Sequence, residues 1–319
     1  MGFSINALAE RIVREEILPN QDALNVKAHL LKNGSMVLDM GIHEKGGFRA
    51  GVLFTETCLG GLGQMTYRTM RVNGHPVPLV AIHVDRPAIA ELASHDAFLY
   101  IDYRGRRLSV SGPIRAITGT DKFARSVPYL DPTAKTAVCH IQIDEMPTEE
   151  MTGLIAESVG FSPKDIILLA AKTGTLTGAA QVCARNVEQS LPSLLDHGFD
   201  VNKVVQACGY APIVSVVDDE NIAYGRVNDG LLYGQETNLY VRCEDSEIER
   251  VLDILPFSKN KDVFGTSFEE LFARCSYQWS RVPRHWDAPC KVNFFNLKTN
   301  RRFSAGSLHM GVLERSFMG

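Results

Sequence analysis

The chain has 319 residues, of which 45% are hydrophobic, enough for one large domain or two smaller ones with their own cores. Its formal net charge is −4, with 33 basic and 37 acidic side chains, and no basic run stands out. This composition argues against a protein that binds nucleic acid through a basic surface, so no nucleic acid is expected among the partners.

Cysteine use and hydropathy indicate an intracellular protein. The seven cysteines are scattered, odd in number and without a C-x-x-C pair, which argues against a disulfide framework and against a structural zinc site. No apolar run approaches the roughly 20 residues that span a bilayer. The N-terminus reads as an amphipathic helix and not as a signal peptide. We therefore expect a cytoplasmic protein with no membrane segment and no bound metal.

In the first half of the chain, turn signals separate short periodic segments. Asn33-Gly34 and Asn73-Gly74 are typical of β-hairpins, and Pro87 is typical of a helix start. The predicted elements are a helix over 5–18, strands over 26–32 and 35–40, a helix over 48–58, strands over 65–72 and 77–84, a helix over 87–98, and strands over 98–103 and 106–110.

The second half alternates strands and helices more clearly. Thr148 is a suitable N-cap, and Gly160 a suitable end, for a helix over 148–159. The other predicted elements are strands over 136–143, 166–171, 237–243 and 291–297, and a helix over 267–275. Because residues 137–208 read as β-α-β-α, we predict an α/β protein with two layered domains. The polar segment 118–133 suits a crossing, which gives domains of 1–125 and 126–319, unless the chain returns to the first domain later.

The strand–loop–helix joint that begins at residue 166 is the most informative feature. An apolar strand runs into the loop Lys172-Thr-Gly-Thr-Leu-Thr-Gly178, and a helix follows whose apolar face runs from Ala179 to Leu194. In α/β proteins such joints commonly hold small polar ligands. Small residues and hydroxyl groups in the loop let a ligand approach the backbone donors.

Polar side chains of this helix fall together on the side opposite its apolar face. At about 100° per residue, Gln181, Arg185 and Glu188 share that side, and the arginine and glutamate can meet. A paired carboxylate and guanidinium can bind and orient a water molecule. A solvated ion pair on a surface helix is the alternative interpretation.

Further polar or glycine-rich segments have both a structural and a functional interpretation. Gly60-Gly-Leu-Gly63 has the wrong spacing for a dinucleotide-binding loop, so a tight turn beside packed backbone is the simpler interpretation. His95 and Asp96 can form an acid–base pair, with a structural histidine as the alternative. The pair Asn228-Asp229 precedes an apolar run and can bind the amide edge of a ligand, or form a turn or cap.

Several segments taken together identify a family. They are Asp39-Met-Gly-Ile42, Gly46-Gly-Phe-Arg-Ala-Gly51, Cys58-Leu-Gly-Gly-Leu-Gly63, Ser111-Gly-Pro113 with Arg115, Gln181-Val-Cys-Ala-Arg185-Asn-Val-Glu188 and Gly225-Arg-Val-Asn-Asp-Gly-Leu-Leu-Tyr-Gly234. In this order and at these separations they resemble the methenyltetrahydromethanopterin cyclohydrolase family nearly end to end. The Ser-Phe ending at 316–317 is more similar to the bacterial branch of that family.

The resemblance implies a fold, a reaction and a catalytic pair. The fold would be two α/β domains with a cleft between them, and the reaction the reversible hydrolysis of the cyclic methenyl unit of a reduced pterin carrier to its N5-formyl derivative. Glu188 and Arg185 match the family's catalytic pair, so Glu188 would position and deprotonate water while Arg185 orients it and tunes its charge state. No metal or redox cofactor is implied. The expected partners are the pterin C1 carrier and further copies of the chain, in a trimer or a dimer.

The remaining expected site residues bind the substrate. They are Gln181, Thr173, Thr175, Gly60, Gly61, Ser111, Gly112, Asn228, Asp229 and His95. The chain departs from the family pattern in segments 93–98, 171–174, 260–265 and 286–290, several of which lie where the pterin or its side chain is expected. The alternative function is therefore a paralogue that binds a pterin C1 carrier, or acts on another pterin intermediate, without cyclohydrolase activity.

Overall fold

The structure is a computed structural model that describes residues 2–213 and 216–318. The strands are β1 Lys27–Leu30, β2 Met36–Asp39, β3 Gly63–Val72, β4 His75–Val84, β5 Leu99–Tyr103, β6 Arg106–Ser111, β7 Ala137–Gln142, β8 Ile166–Ala171, β9 Val204–Pro212, β10 Glu236–Val241, β11 Lys291–Asn296 and β12 Arg301–Gly306. The α-helices are α1 Ile5–Ile12, α2 Gln21–Leu24, α3 Phe48–Cys58, α4 Arg115–Thr118, α5 Lys122–Arg125, α6 Glu149–Val159, α7 Leu176–Cys183, α8 Ser190–Asp196, α9 Glu220–Gly234, α10 Asp245–Leu252, α11 Phe268–Arg274 and α12 Met310–Met318.

Shorter helical segments complete the secondary structure. The π-helices are Val13–Ile17 and Ala88–His95, and the 3-10 helices are Leu18–Asn20, Pro163–Asp165, Ala184–Asn186, Val201–Lys203, Phe257–Lys259, Trp279–Arg281 and Arg284–Trp286. The chain forms two compact units, Met1–Gln64 with Ile89–Gln181, and Met65–Ala88 with Val182–Gly319. The predicted two-domain α/β class is confirmed, since each unit combines helices with one mixed sheet.

The first unit contains a sheet with the strand order β1-β2-β8-β7-β6-β5. Its middle strands β2, β8 and β7 are parallel, whereas β1, β6 and β5 pair antiparallel. Every residue of β8 is buried, because apolar clusters cover both faces of the sheet. Leu168 belongs to the cluster that includes Ile155 of α6, whereas Leu169 belongs to the cluster that includes Phe54 of α3. The carboxyl ends of the three parallel strands therefore share one edge of a sheet covered on both faces.

Local signals explain where several elements of the first unit begin and end. Between β1 and β2, Asn33 Oδ1 accepts the Ser35 amide at 3.1 Å and Gly34 has a φ of 89°. Thr148 Oγ1 caps α6 by accepting a backbone amide at 3.3 Å, and Gly160 ends that helix with a φ of 73°. The predicted hairpin and the predicted caps are confirmed.

The second unit contains a sheet with the strand order β12-β11-β10-β9-β4-β3. The pair β10 and β11 is parallel, whereas β9 pairs antiparallel with both β10 and β4, and β12 pairs antiparallel with β11. One apolar cluster joins Tyr233 of α9, Phe268 and Phe272 of α11 and Leu313 of α12. The helix α9 is therefore a core element of this unit.

Some sequence predictions differ from the structure. The sequence gives no bounds for β9, α9, β12 and α12. A turn or cap at Asn228 and Asp229 is wrong, because both residues lie inside α9. The compact units also divide the chain elsewhere than at 125/126. The segment 118–133 lies within the first unit, because the strands that follow it, β7 and β8, pair with β6 and β2. Within residues 2–213 and 216–318, no helix is long and apolar enough to cross a membrane.

Candidate active site

The joint after β8 is built around Thr175. Its Oγ1 donates to the Lys172 carbonyl at 2.9 Å and accepts the Gly178 amide at 3.2 Å, which closes the loop and caps α7. Gly178 has no room for a side chain, because a Cβ there would lie 1.9 Å from the Lys172 carbonyl oxygen. Thr175 is therefore held by its own loop, with its side chain half-buried.

At the carboxyl ends of the parallel strands, three polar side chains form a hydrogen-bonded chain. Gln142, the last residue of β7, donates its amide to Thr173 Oγ1 and accepts the Gln181 amide at 2.9 Å. Thr173 and Gln181 are buried, whereas Gln142 is half-buried. Two predicted binding residues are thus brought together at the edge where α/β sheets bind ligands. Gln142 was missed, although a polar residue at the end of an apolar strand was a usable signal.

Three other predicted binding residues of the first unit lie in a buried polar cluster. Cys58 Sγ lies 3.4 Å from Ser111 Oγ and 4.0 Å from the His95 carbonyl oxygen. His95 Nδ1 lies 2.8 Å from Glu91 Oε2, and both of these side chains are fully buried. Gly112 follows with a φ of 103°, which favours glycine. Glu91, one helical turn away, is therefore an acid beside the His95 ring, and the pairing of His95 with Asp96 stays a prediction.

The glycines after α3 form the turn that the simpler interpretation predicts. Gly60 and Gly61 have φ values of 66° and 70°. A Cβ on Gly60 would lie 2.8 Å from the Ile5 side chain, and one on Gly61 would lie 3.0 Å from Leu8. This turn therefore packs closely against α1, which explains why neither position has room for a side chain.

In the second unit, Asn228 and Asp229 have protein partners. Asn228 Nδ2 donates to the Tyr224 carbonyl of the preceding turn at 2.9 Å. Asp229 accepts the Phe268 amide at 2.7 Å and the Ser316 hydroxyl. Burial raises the pKa of Asp229 to about 7, although these two hydrogen bonds oppose the rise. Asp229 therefore connects α9 with the start of α11 and with α12.

The Arg185–Glu188 pair lies in a break between two helices. The helix α7 ends at Cys183, the 3-10 helix Ala184–Asn186 follows, and α8 begins only at Ser190. Arg185 Nη1 lies 3.8 Å from Glu188 Oε2, and the two side chains are 16% and 7% exposed. The prediction of one continuous helix is therefore wrong, and so is the alternative of a solvated pair on a surface helix. Both residues belong to the second unit, whereas Gln181 belongs to the first.

Pro192 and Asn186 explain the break. Proline has no amide hydrogen, so the Glu188 carbonyl accepts the Leu191 amide at 3.0 Å and no amide from Pro192. Asn186 Nδ2 donates to the Cys183 carbonyl at 2.8 Å, which satisfies one of the open acceptors at the end of α7. The proline was a usable signal for an interrupted helix.

Tyr224, a member of an aromatic cluster, is within electrostatic reach of Arg185. Tyr224 stacks on Phe272 with ring centroids 4.9 Å apart and meets Trp279 at 6.0 Å. Burial raises the pKa of Tyr224 to about 12, and the charge of Arg185 partly opposes that rise. Arg185 is thus close enough to act electrostatically on a tyrosine that stays protonated at neutral pH.

The turn that carries the pair also contains buried polar atoms that have no hydrogen-bond partner within the described part of the chain. Across the described part of the chain, buried side-chain atoms without a hydrogen-bond partner include Asn186 Oδ1, Gln189 Oε1 and Ser190 Oγ. Buried polar atoms of this kind call for water or a ligand as partner. Within the same described residues, no group of three or more His, Cys, Asp or Glu side chains is arranged to hold a metal ion.

Comparison with known proteins decides the family. A family model described as Cyclohydrolase (MCH) matches residues 4–317. The chain belongs to this family. It is 30% identical to the methenyltetrahydromethanopterin cyclohydrolase of Methanococcoides burtonii, over 99% of this chain and 98% of that protein. It is 32% identical to the protein of that name from Methanocaldococcus jannaschii, with 98% of each covered. For Methanothermobacter marburgensis the identity is also 32%, over 98% of this chain and 99% of the relative.

Membership of the MCH family confirms the resemblance and the enzyme class. The match extends over both compact units, so it includes the hydrogen-bonded chain at Gln142 as well as the Arg185–Glu188 pair. The relatives bear the name of a hydrolase, and the prediction of a cyclohydrolase is confirmed at that level.

Proposed function

We propose that this chain hydrolyses the methenyl bridge of methenyl-tetrahydromethanopterin to the N5-formyl derivative, and catalyses the reverse reaction. Glu188 positions and deprotonates the attacking water, and Arg185 orients the carboxylate. The observation that carries this proposal is the partly desolvated Arg185–Glu188 pair, set in a turn with unpartnered polar atoms. An ion pair that only stabilised the surface would be exposed to solvent and worth little.

The reaction requires a base and a well-placed water molecule, and the methenyl carbon needs little further activation. The methenyl carbon lies between two nitrogens and is cationic, so it is already electrophilic. The water oxygen forms a bond to this carbon while Glu188 accepts a proton from the water. The bond from the carbon to N10 then breaks with its electron pair on N10, and the hydroxyl oxygen loses its remaining proton as it becomes the carbonyl of the N5-formyl group. N10 takes up one proton, so one proton is released overall. A guanidinium beside Glu188 favours the ionised carboxylate that this step needs.

The proposed reaction needs no metal or redox cofactor, because the substrate itself supplies the positive charge that a metal would otherwise provide. Protein dialysed against a chelator is therefore expected to keep its full turnover rate. The measurement is the rate of methenyl hydrolysis before and after chelation, with metal content determined on the same samples. A rate that falls on chelation and returns with one metal ion would contradict this part of the proposal.

The direct test follows the loss of the methenyl chromophore on purified protein. Glu188→Gln keeps the size of the side chain but removes the base, so kcat is expected to fall by at least about 100-fold. Glu249→Gln is the control, because Glu249 is 55% exposed and forms only a loose ion pair, at 3.9 Å, with Arg301 in the same unit.

The outcomes separate the competing interpretations. No turnover by the wild-type protein would reject the cyclohydrolase proposal, and binding of the carrier without turnover would favour the paralogue. Unchanged turnover in Glu188→Gln would reject the role of Glu188 alone. A cytoplasmic location and a homo-oligomer, trimer or dimer, stay predictions that sedimentation and fractionation can address.

A further inference from the structure

The peptide carbonyl between Arg185 and Glu188 is held by side chains and not by a helix amide. Gln235 Nε2 and Thr237 Oγ1 both donate to the carbonyl oxygen of Asn186. In a continuous α-helix this oxygen would accept the amide of residue 190. That amide instead bonds to the carbonyl of Val187 at 3.1 Å. The two lone pairs of the Asn186 carbonyl are therefore occupied by donors from another element.

The donor atoms are themselves fixed. Gln235 Nε2 also donates to Thr237 Oγ1 at 2.8 Å, and Gln235 Oε1 accepts the Cys290 amide at 3.4 Å. The orientation of the Gln235 amide is thus determined, because rotation by 180° would place its oxygen against the Asn186 carbonyl. Gln235 and Thr237 are both fully buried. Thr237 lies in β10, which is hydrogen-bonded to β9 and β11 on its two sides.

The turn also packs closely against β9, the strand next to β10, where Gly209 is the direct cross-strand partner of Thr237. Gly209 of β9 faces Asn186, and a Cβ on Gly209 would lie 1.9 Å from Asn186 Oδ1 and 3.0 Å from Val187. The turn therefore lies against one face of this sheet, where β9 leaves no free room at Gly209 and two donors hold the Asn186 carbonyl. Within the turn the Gln189 amide bonds to the Arg185 carbonyl at 2.9 Å, as in an α-helix, whereas the Asn186 carbonyl depends on the two side-chain donors.

We propose that Gln235 and Thr237 are positioning residues that hold the Arg185–Glu188 turn in its reactive geometry. This inference rests on the proposed function, because the restraint matters for catalysis only if Glu188 activates a water molecule. A displacement of about 1 Å in a reacting group can cost 100-fold in rate. Because β10 is hydrogen-bonded to β9 and β11, Thr237 has a fixed position from which it holds the Asn186 carbonyl.

The test compares two substitutions at one position. Thr237→Val keeps the shape and suits a strand but loses the hydroxyl donor. Its kcat is expected to fall by about 10-fold to 100-fold while KM changes little, because the base is misplaced and the substrate contacts are kept. Thr237→Ser keeps the donor and should restore most of kcat. Thr152→Val is the control, since Thr152 is also fully buried and its hydroxyl also donates to peptide carbonyls, but in α6.

A second measurement does not depend on activity. Amide hydrogen exchange over 184–191 should accelerate in Thr237→Val and not in Thr152→Val or Thr237→Ser. If the wild-type protein has no turnover, the proposed function fails and exchange alone decides whether the restraint exists. Unchanged kcat, or unchanged exchange in this segment, overturns the proposal. Should Thr237→Val not fold, Gln235→Met removes the other donor and is judged by the same two measurements.

Discussion

Asp229 is a carboxyl group whose environment favours its neutral form. It lies in the buried half of α9, and burial raises its pKa from 3.8 to about 7. The groups that face it are Glu269 and Arg315, together with its partners Phe268 and Ser316. Because the folded protein retains this proton over a range where the unfolded chain releases it, Asp229 ties stability to pH.

The sign of this effect follows from the raised pKa. The stabilising contribution of Asp229 is complete below pH 3.8 and is lost progressively as the pH rises to about 7. The total loss in the free energy of unfolding is roughly 4 kcal/mol at most. Asp229→Asn should remove this loss, because an amide can accept the Phe268 amide and donate to the Ser316 hydroxyl without ionising. The free energy of unfolding in urea, measured from pH 4 to 8, should shift progressively in favour of the variant.

Asp253→Asn is the matched control, since Asp253 is 87% exposed. Its unfolding free energy should differ from the wild-type value by a small and nearly constant amount. Parallel pH profiles for Asp229→Asn and the wild-type protein would show that Asp229 does not titrate in this range.

For single residues, the sequence could predict which side chains form the candidate site better than it could predict their burial and hydrogen-bond partners. Arg185 and Glu188 stand out because an acid and a base three residues apart can meet on a helix. The turn between them packs against β9 and is hydrogen-bonded to Thr237 of β10, and both strands are distant in sequence. The partners of Asp229 likewise come from 39 and 87 residues away. No local pattern contains that information.

Among the elements, those bounded by turn or cap signals were predicted best. The helix α3 and the strand β8 have the predicted bounds. The helix α9 was missed because its residues from Val227 to Gly234 are all buried, so polar and apolar side chains do not alternate along it. The edge strand β12 was missed because it is largely exposed and has no apolar pattern.

The contact between β9 and the Arg185–Glu188 turn leads to a further prediction. Gly209→Ala should displace the turn, because the new Cβ would meet Asn186 Oδ1 within 1.9 Å. The expected result is a loss of about 1–3 kcal/mol in stability from overpacking and a fall in kcat. Urea unfolding and the rate of methenyl hydrolysis measure the two effects.

Gly153→Ala separates the clash from the general effect of replacing glycine. Gly153 lies within α6, and no neighbouring atom lies within 4 Å of a Cβ placed there. This variant should gain about 0.5–1 kcal/mol in stability and keep its activity. Equal kinetic behaviour of the two variants would contradict the view that β9 confines the turn.

At the scale of the whole molecule, the two compact units interleave along the chain. The chain passes between the units three times: after Gln64, within β3; after Ala88, at the start of a π-helix; and after Gln181, within α7. The first and last of these places lack the polar or proline-rich composition by which a linker is recognised. The sequence could therefore predict two α/β domains, but not where the chain passes from one to the other.

This organisation predicts how fragments behave. A fragment of residues 1–125 keeps the hairpins β1–β2 and β5–β6 but lacks β8 and β7, which join them in the sheet order β1-β2-β8-β7-β6-β5. Isolated hairpins are marginally stable in water, so this fragment should show no cooperative thermal transition by circular dichroism.

A chain in which 1–64 is joined to 89–181 through a Gly/Ser linker of roughly six residues keeps all six strands and should melt cooperatively. The linker can be short because β3 and β4 are adjacent antiparallel strands of one hairpin, whose open ends lie close together. Cooperative melting of 1–125 alone would contradict the assignment of β7 and β8 to the first unit.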